Sequence, residues 1–196
     1  MSFDVLPVET ELHYFTIAEL RASAPELENA TKYPDATLEA KRDEAEQDWE
    51  ELANRAFVPR SATWHARGGD AYLMMPYRDI REVTSVTLNG VELDITGVTV
   101  DPIIGALKHP SEWPAGVLTV TYAHGLDAPP AAVKRLVLML ARIYTLPSVG
   151  DPRATAIVNS ETGMGYRVLV AKDGKTGIPD IDEGAKRYGH HTPVVG

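Results

Sequence analysis

The chain has 196 residues, of which 44% are hydrophobic and 24% charged, with a formal net charge of −9 and no cysteine. That composition suits one globular domain with a real core, with room for an insertion or a tail. It excludes disulfides, thiolate catalysis and cysteine metal sites, and makes an intracellular site of synthesis the simple reading. The longest apolar run, Leu136 to Ala141, falls far short of the roughly 20 residues of a membrane span, and MSFDVLPVETE carries no signal-peptide pattern. Residues 1–57 hold 14 acids against 5 bases, whereas 58–196 hold 14 of each, so the whole net charge lies in the first segment. An acidic surface repels phosphates at short range, which argues against specific nucleic-acid binding while letting DNA slide past.

Residues 1–57 read as helical. Thr16 and Glu19 have the spacing of a capping box, Leu20 follows, and Pro25 marks the stop. A longer helix is expected over about 35–57, with Asp35 as its N-cap. There Leu38, Ala45, Trp49, Leu52 and Ala56 form one apolar stripe on a 3.6-residue period. The acids Asp43, Glu44, Glu46, Asp48, Glu50 and Glu51 run along this helix without the alternation and glycine bend of a Ca²⁺ loop. They read as a solvated face, able in an oligomer to line a channel or a rim.

Residues 58–123 read as β. Pro59 ends the helix, Arg60–Arg67 alternates, and Ala71–Met75 is a short apolar run. Val83–Leu88 and Val91–Leu93 flank Asn89-Gly90, the strongest short hairpin signal. Ala106–Lys108 adds a short strand, and Val117–Tyr122 is a clear alternating one. These features predict a small antiparallel sheet or partial barrel.

The third region opens at TYAHGLDAPP, Thr121 to Pro130. His124 and Asp127 suggest an acid–base pair, yet no nucleophile motif stands beside them. The better reading is a strand-to-helix corner, with Gly125 taking a backbone angle closed to other residues. A helix is expected over about 130–146, with Pro130 in its first turn and Pro147 after its end. It is apolar around most of its circumference, with only Lys134, Arg135 and Arg142 interrupting. One side can face its own core, and the other wants a neighbouring subunit. Residues 148–196 are rich in Gly, Asp, Lys and Thr around one apolar burst, Tyr166–Val170, and read as an extended arm that orders against a partner.

Other motifs are weak. His190-His191 lacks companion ligands at a defined spacing. Gly163–Tyr166 and Asp173–Gly177 lack the Walker spacing of a phosphate loop. Trp49, Trp64 and Trp113 read as core anchors. No catalytic, cofactor or metal site is expected. The competing class is a small ligand-binding or hydrolytic domain that uses His124, His65 or Trp113 in a pocket.

The order of features resembles the head–tail connector (adaptor) proteins of long-tailed double-stranded DNA bacteriophages. The resembling residues are FTIAELRAS, the helix AEQDWEELANRAF followed by VPR, the strand, corner and helix VTYAHGLDAPPAAVKRLVLMLARIY, and the tail segments NSETGMGYRV and TGIPDIDEGAKRY. Shorter connectors are mainly helical, so residues 58–123 read as a β insertion. The fold class is then α+β: a connector core over 1–147, built as a small helical bundle with an inserted antiparallel sheet, and an extended C-terminal arm over 148–196. The resemblance implies a homo-oligomeric ring, usually a dodecamer, in the virion neck, synthesised in the host cytoplasm. Such a ring docks beneath the portal protein, receives the stopper or tail protein below, and passes DNA through its lumen. On this reading the subunit interface uses Val133, Leu136, Val137, Leu140, Ile143 and Tyr144. The portal-binding arm uses Tyr166, Val168, Val170, Ile178, Ile181 and Tyr188. Asp43, Glu44, Asp48 and Glu51 face the channel. No cofactor and no membrane enter. Another neck component, such as a stopper, is expected to be mainly β, and the two long helices argue against it.

Overall fold

Thr16 opens the first helix as its spacing predicts: its Oγ1 accepts from Glu19 N at 3.2 Å, and Glu19 Oε2 accepts from Thr16 N at 2.8 Å. In this computed structural model, residues 12–146 and 176–190 are described throughout, together with the backbone of 154–160 and 163–168. The chain divides into two compact units, a helical one formed by His13–Asn54 with the chain from Pro129 onward, and a β one that includes Arg55–Ala128.

In the helical unit, α1 (Ile17–Ala22) is followed by a 3₁₀ turn at Pro25–Glu28 and by α2 (Asp35–Ala53). Pro34 is the N-cap of α2, and Asp35 is its first helical residue, paired to Arg21. The helix ends earlier than the expected 57. Asn54 adopts the left-handed conformation at φ 49° and ψ 40°, which its short polar side chain tolerates, and stops the helix there. Of the expected stripe, Leu38, Ala45 and Trp49 are fully buried and Leu52 half-buried, while Ala56 lies beyond the helix end. Helix α3 (Ala131–Thr145) packs on α2 and presents Val133, Val137, Leu140 and Ala141 to the core.

The C-terminal region differs from a uniformly extended arm. Strands β8 (Ala154–Ser160) and β9 (Gly163–Val168) pair antiparallel, and α4 (Pro179–Tyr188) packs on both α2 and α3. Pro179 sits in the first turn of α4, Asp180 and Asp182 lie at its N-terminal end, and Lys186 and Arg187 at its C-terminal end, which suits the helix dipole. Ile178, Ile181 and Ala185 are buried. Gly184 lets α4 approach closely, because a Cβ there would collide with Leu136 and touch Trp49.

In the β unit, β1 (Arg60–Arg67), β3 (Ile80–Leu88), β4 (Val91–Glu92) and β7 (Val117–His124) form an antiparallel sheet in the order β1-β7-β3-β4. A second sheet, in the order β2-β6-β5, comprises β2 (Tyr72–Met74), β5 (Thr99–Asp101) and β6 (Ala106–Lys108). The sequence reading has no counterpart for β5. Asn89 and Gly90 both have positive φ, 50° and 85°, as a two-residue hairpin turn requires. Strand β7 alternates strictly: Leu118, Val120, Tyr122 and His124 are buried, and the residues between them are not. Leu118, Val120 and Tyr122 join Leu73, Val86, Leu107 and Trp113 in one core.

Candidate assembly interface

Helix α3 is the first candidate surface, because its apolar residues outnumber what one side of a helix needs. Within the chain, Val133, Val137 and Leu140 are fully buried against the helical unit's own core. Leu136, Ile143 and Tyr144 are half-buried, and Leu136 lies beside Gly184 of α4. Tyr144 donates its hydroxyl to Asp48 Oδ2 at 2.6 Å. Three of the six expected interface residues are thus already buried within the helical unit. Part of the second side of α3, which the sequence leaves to a neighbour, is occupied within the chain by α4.

The acidic face of α2 is the second. Asp43, Glu44, Asp48 and Glu51 are all exposed, but each has a local partner. Asp43 pairs with Arg42 at 3.0 Å and lies 3.6 Å from His13, Glu44 pairs with Lys41 at 2.6 Å, and Glu51 accepts from Gln47 at 3.2 Å. Glu46 departs from the solvated reading of the series. It is buried and accepts the Tyr14 N–H at 2.7 Å, with His13 Nδ1 3.3 Å away. Glu50 accepts from the Tyr14 hydroxyl at 3.1 Å. The segment before α1 is therefore clamped to α2 by two carboxylates of that series. In the first turn of α1, Lys134 holds the Glu19 carboxyl below its usual range, helped by the Thr16 N–H.

The candidates for chemistry resolve into packing. His124 is buried, stacked on Tyr77 with ring centroids 4.5 Å apart and 7° between planes, and tilted against Tyr122. Burial first, then the Arg60 guanidinium, lower its pKa to about 4 against an opposing pull from Asp79, so the ring is neutral at pH 7. Burial likewise pushes the Tyr122 phenol well up. Asp127 is exposed and pairs with Arg81 at 2.6 Å, so the imagined dyad is replaced by two unrelated contacts. Gly125 has φ +99°, donates its N–H to Asp79 O at 3.0 Å, and leaves no room for a Cβ beside the Val58 carbonyl. Trp113 is no pocket platform: it is buried, with Nε1 donating to Leu107 O at 3.4 Å. His65 is exposed and bonded to Thr119 Oγ1 at 2.9 Å. The His190 N–H caps the end of α2 through Ala53 O at 2.9 Å, and His191 lies outside the described residues. Of the expected arm residues, Ile178 and Ile181 are in the helical core and Tyr188 is half-buried on α4. Tyr166 and Val168 lie on β9, and Val170 lies outside the described residues. Among the described residues no helix is long and apolar enough to cross a membrane.

No family model matches this chain, and neither does any curated protein. Solved structures do. The chain aligns over 100% of its length, and 99% of the other chain's, with a chain from the neck of the empty gene transfer agent (GTA) particle computed with C6 symmetry, at a TM-score of 0.66 and 17% identity. The neck of the native particle, computed with C12 symmetry, gives the same coverage and TM-score at 14% identity. A chain of the native GTA virion does so at 15%. The fold is that of a chain from the GTA neck.

One feature of this neck fold went unread in the sequence. Among the described residues, every exposed large apolar side chain belongs to the β unit or to Leu12, whose carbonyl accepts from Arg60 in β1. Such residues look ordinary in short strands and turns. Only the pairing of the strands shows which of them share a face.

Proposed function

We propose that the protein is a structural ring component of the neck of a tailed, phage-like particle, acting as the adaptor between a portal protein and a stopper or tail protein, with DNA passing through its lumen. The observation that carries this reading is the full-length correspondence, in both chains, with neck structures computed with C12 and C6 symmetry. A ring of twelve copies follows as the expected assembly, and the virion neck as its location.

Two properties of the chain support the role. The exposed acids Asp43, Glu44, Asp48 and Glu51 give α2 a face that repels a phosphate backbone, as a conduit wall requires if DNA is to pass without being held. The buried His124 and Trp113 leave the strand-to-helix corner and the β core as packing, and a structural role needs no more of them. With Ile178 and Ile181 engaged in the helical core, portal docking falls to Tyr166, Val168 and Val170 and to the outer side of α4 that bears Tyr188.

Electron microscopy of the purified chain, alone and mixed with its portal protein, tests this reading. Rings of about twelve copies seated on the portal are the expected result. A chain that neither forms rings nor binds the portal would overturn it.

A further inference from the structure

We infer that the β unit carries both halves of a head-to-tail contact between copies of this chain: an apolar patch on the β2-β6-β5 sheet and a hydroxyl-lined stretch on the β1-β7-β3-β4 sheet. The inference rests on the ring reading above and names the surfaces that close the ring.

The apolar face is built around the turn Asp101–Gly105. Ile103 is 78% exposed at its tip, and Met74 and Tyr72 on the neighbouring strand are 58% and 54% exposed. The turn is fixed rather than loose. Asp101 Oδ1 accepts from both Ile103 N and Ile104 N, at 3.0 and 3.2 Å, and the Asp101 carbonyl accepts from Gly105 N at 3.0 Å. Pro102 O accepts from Asp79 N at 3.0 Å, and Gly105 O from Met75 N at 2.8 Å, so both flanks are tied to the rest of the unit. Beside the turn lies a recess of about 480 Å³ whose lining includes Tyr72, Val100, Ile104 and Ala106. The Lys108 ammonium, on the central strand opposite Tyr72, stands 5.6 Å from the centre of that ring.

Size argues for a second copy as the occupant. The exposed parts of Tyr72, Met74, Ile103 and Ile104 amount to roughly 500 Å², the upper end of what an ordinary monomer leaves in one apolar patch. Protein interfaces are about 60% apolar, so such a core belongs to a face of roughly 800 Å² per partner, the size of a stable contact. A ring of identical chains cannot be closed by one such patch meeting itself. Cyclic assembly requires two different surfaces on each copy, joined head to tail.

The second surface lies on the outward side of the four-stranded sheet. Register places Thr63, Thr121 and Ser85 in one row, and His65, Thr119 and Thr87 in the next, with Val117 at the end of β7, 55% exposed. These seven positions carry no carboxylate, ammonium or guanidinium, and the exposed Arg67, paired with Val117, and Glu92, paired with Thr87, bound the stretch. The hydroxyls pair with one another and with the imidazole: Thr63 with Thr121 at 3.4 Å, and Thr119 with His65 at 2.9 Å. Polar groups already satisfied in this way lose little when water leaves, and the threonine methyls give isoleucine and methionine side chains a surface to cover.

Sedimentation of the full-length chain tests the inference with two variants at exposed positions, Met74→Asp/Ile103→Asp on one face and His65→Glu/Val117→Glu on the other. The wild type is expected to assemble beyond a dimer. Each variant alone stays monomeric at concentrations roughly 100-fold above the wild-type threshold, the loss expected from about 3 kcal/mol at an interface core. An equimolar mixture then forms a one-to-one dimer and stops, since each member keeps the face the other lacks. A variant that assembles like the wild type overturns these surfaces and leaves the ring reading standing. Two monomeric variants that fail to pair overturn the head-to-tail complementarity. A wild type that stays monomeric up to about 1 mM, a concentration at which even millimolar affinity would show, overturns the self-contact, and the particle image then judges the ring reading separately. The chain has no cysteine, so Ile103→Cys/Val117→Cys supplies a check independent of any loss of folding. Oxidation should yield a ladder of linked oligomers, and linkage no different from that of Ile103→Cys alone counts against the contact.

Discussion

In the helical unit, α2 carries eight acids and two bases yet hides Leu38, Ala45 and Trp49 completely. In the β unit, Ile103, Met74, Tyr72 and Val117 are more than half exposed. The contrast follows from geometry. Three helices packed around Trp49 cover one another's apolar stripes, and their outward positions can all be charged. Small sheets have two faces each, and the β unit has core enough for only one side of each sheet. The outward sides are then free to be apolar or hydroxylic, as an assembly contact needs. In this chain one unit turns charge outward, while the other exposes apolar and hydroxyl-bearing side chains.

Removing the centre of the helical core is the strongest test of that division. Trp49→Ala should cost about 3–5 kcal/mol, as large-to-small changes at fully buried aromatic positions do. Native-state hydrogen exchange should show α2, α3 and α4 losing protection together while β7 keeps its own. Equal loss in both units would mean that they do not have separate cores.

Acid should discriminate in the opposite direction. The His124 pKa falls to about 4 in the folded β unit, against an ordinary 6.5 in the unfolded chain. Below pH 6.5 the unfolded state takes up a proton that the folded state refuses. The β unit therefore keeps its full stability above pH 6.5 and loses about 3 kcal/mol as pH falls to 4. His124→Phe keeps the stacking on Tyr77 and should flatten this dependence. An unchanged acid transition in that variant would assign it to other groups. The smallest expected effect is at Thr16: replacing it with Ala removes one half of the capping box, which should cost about 1 kcal/mol and fray α1 alone.

Legibility in the sequence was just as uneven. The Thr16 cap, the Asn89-Gly90 turn and the alternation of β7 are local signals, and the structure realises each of them. Strand β5 has only three residues, Thr99–Asp101, and exists because β6 pairs with it rather than because of its own pattern. Helix α4 lies in a stretch whose Gly-, Asp-, Lys- and Thr-rich composition reads as an arm, although Pro179 and the charges at its two ends mark a helix. Glu46 looks like its acidic neighbours, and what buries it is the backbone of Tyr14, 32 residues away. Fixed local geometry is written locally, whereas burial depends on which distant segment arrives.

The corner at Gly125 has a further consequence for folding. Leu126 N donates to Ala56 O at 3.3 Å, so the stretch Arg55–Ala128 brings its own two ends together. A flexible segment of that length between α2 and α3 would disfavour their packing by about 2.5 kcal/mol relative to a four-residue loop, from closure entropy alone. Once the β unit has folded, the helices are joined as though by a short loop. Acid that melts the β unit through His124 would then loosen the helical pair by chain entropy, with no contact between the two units needed to carry the effect.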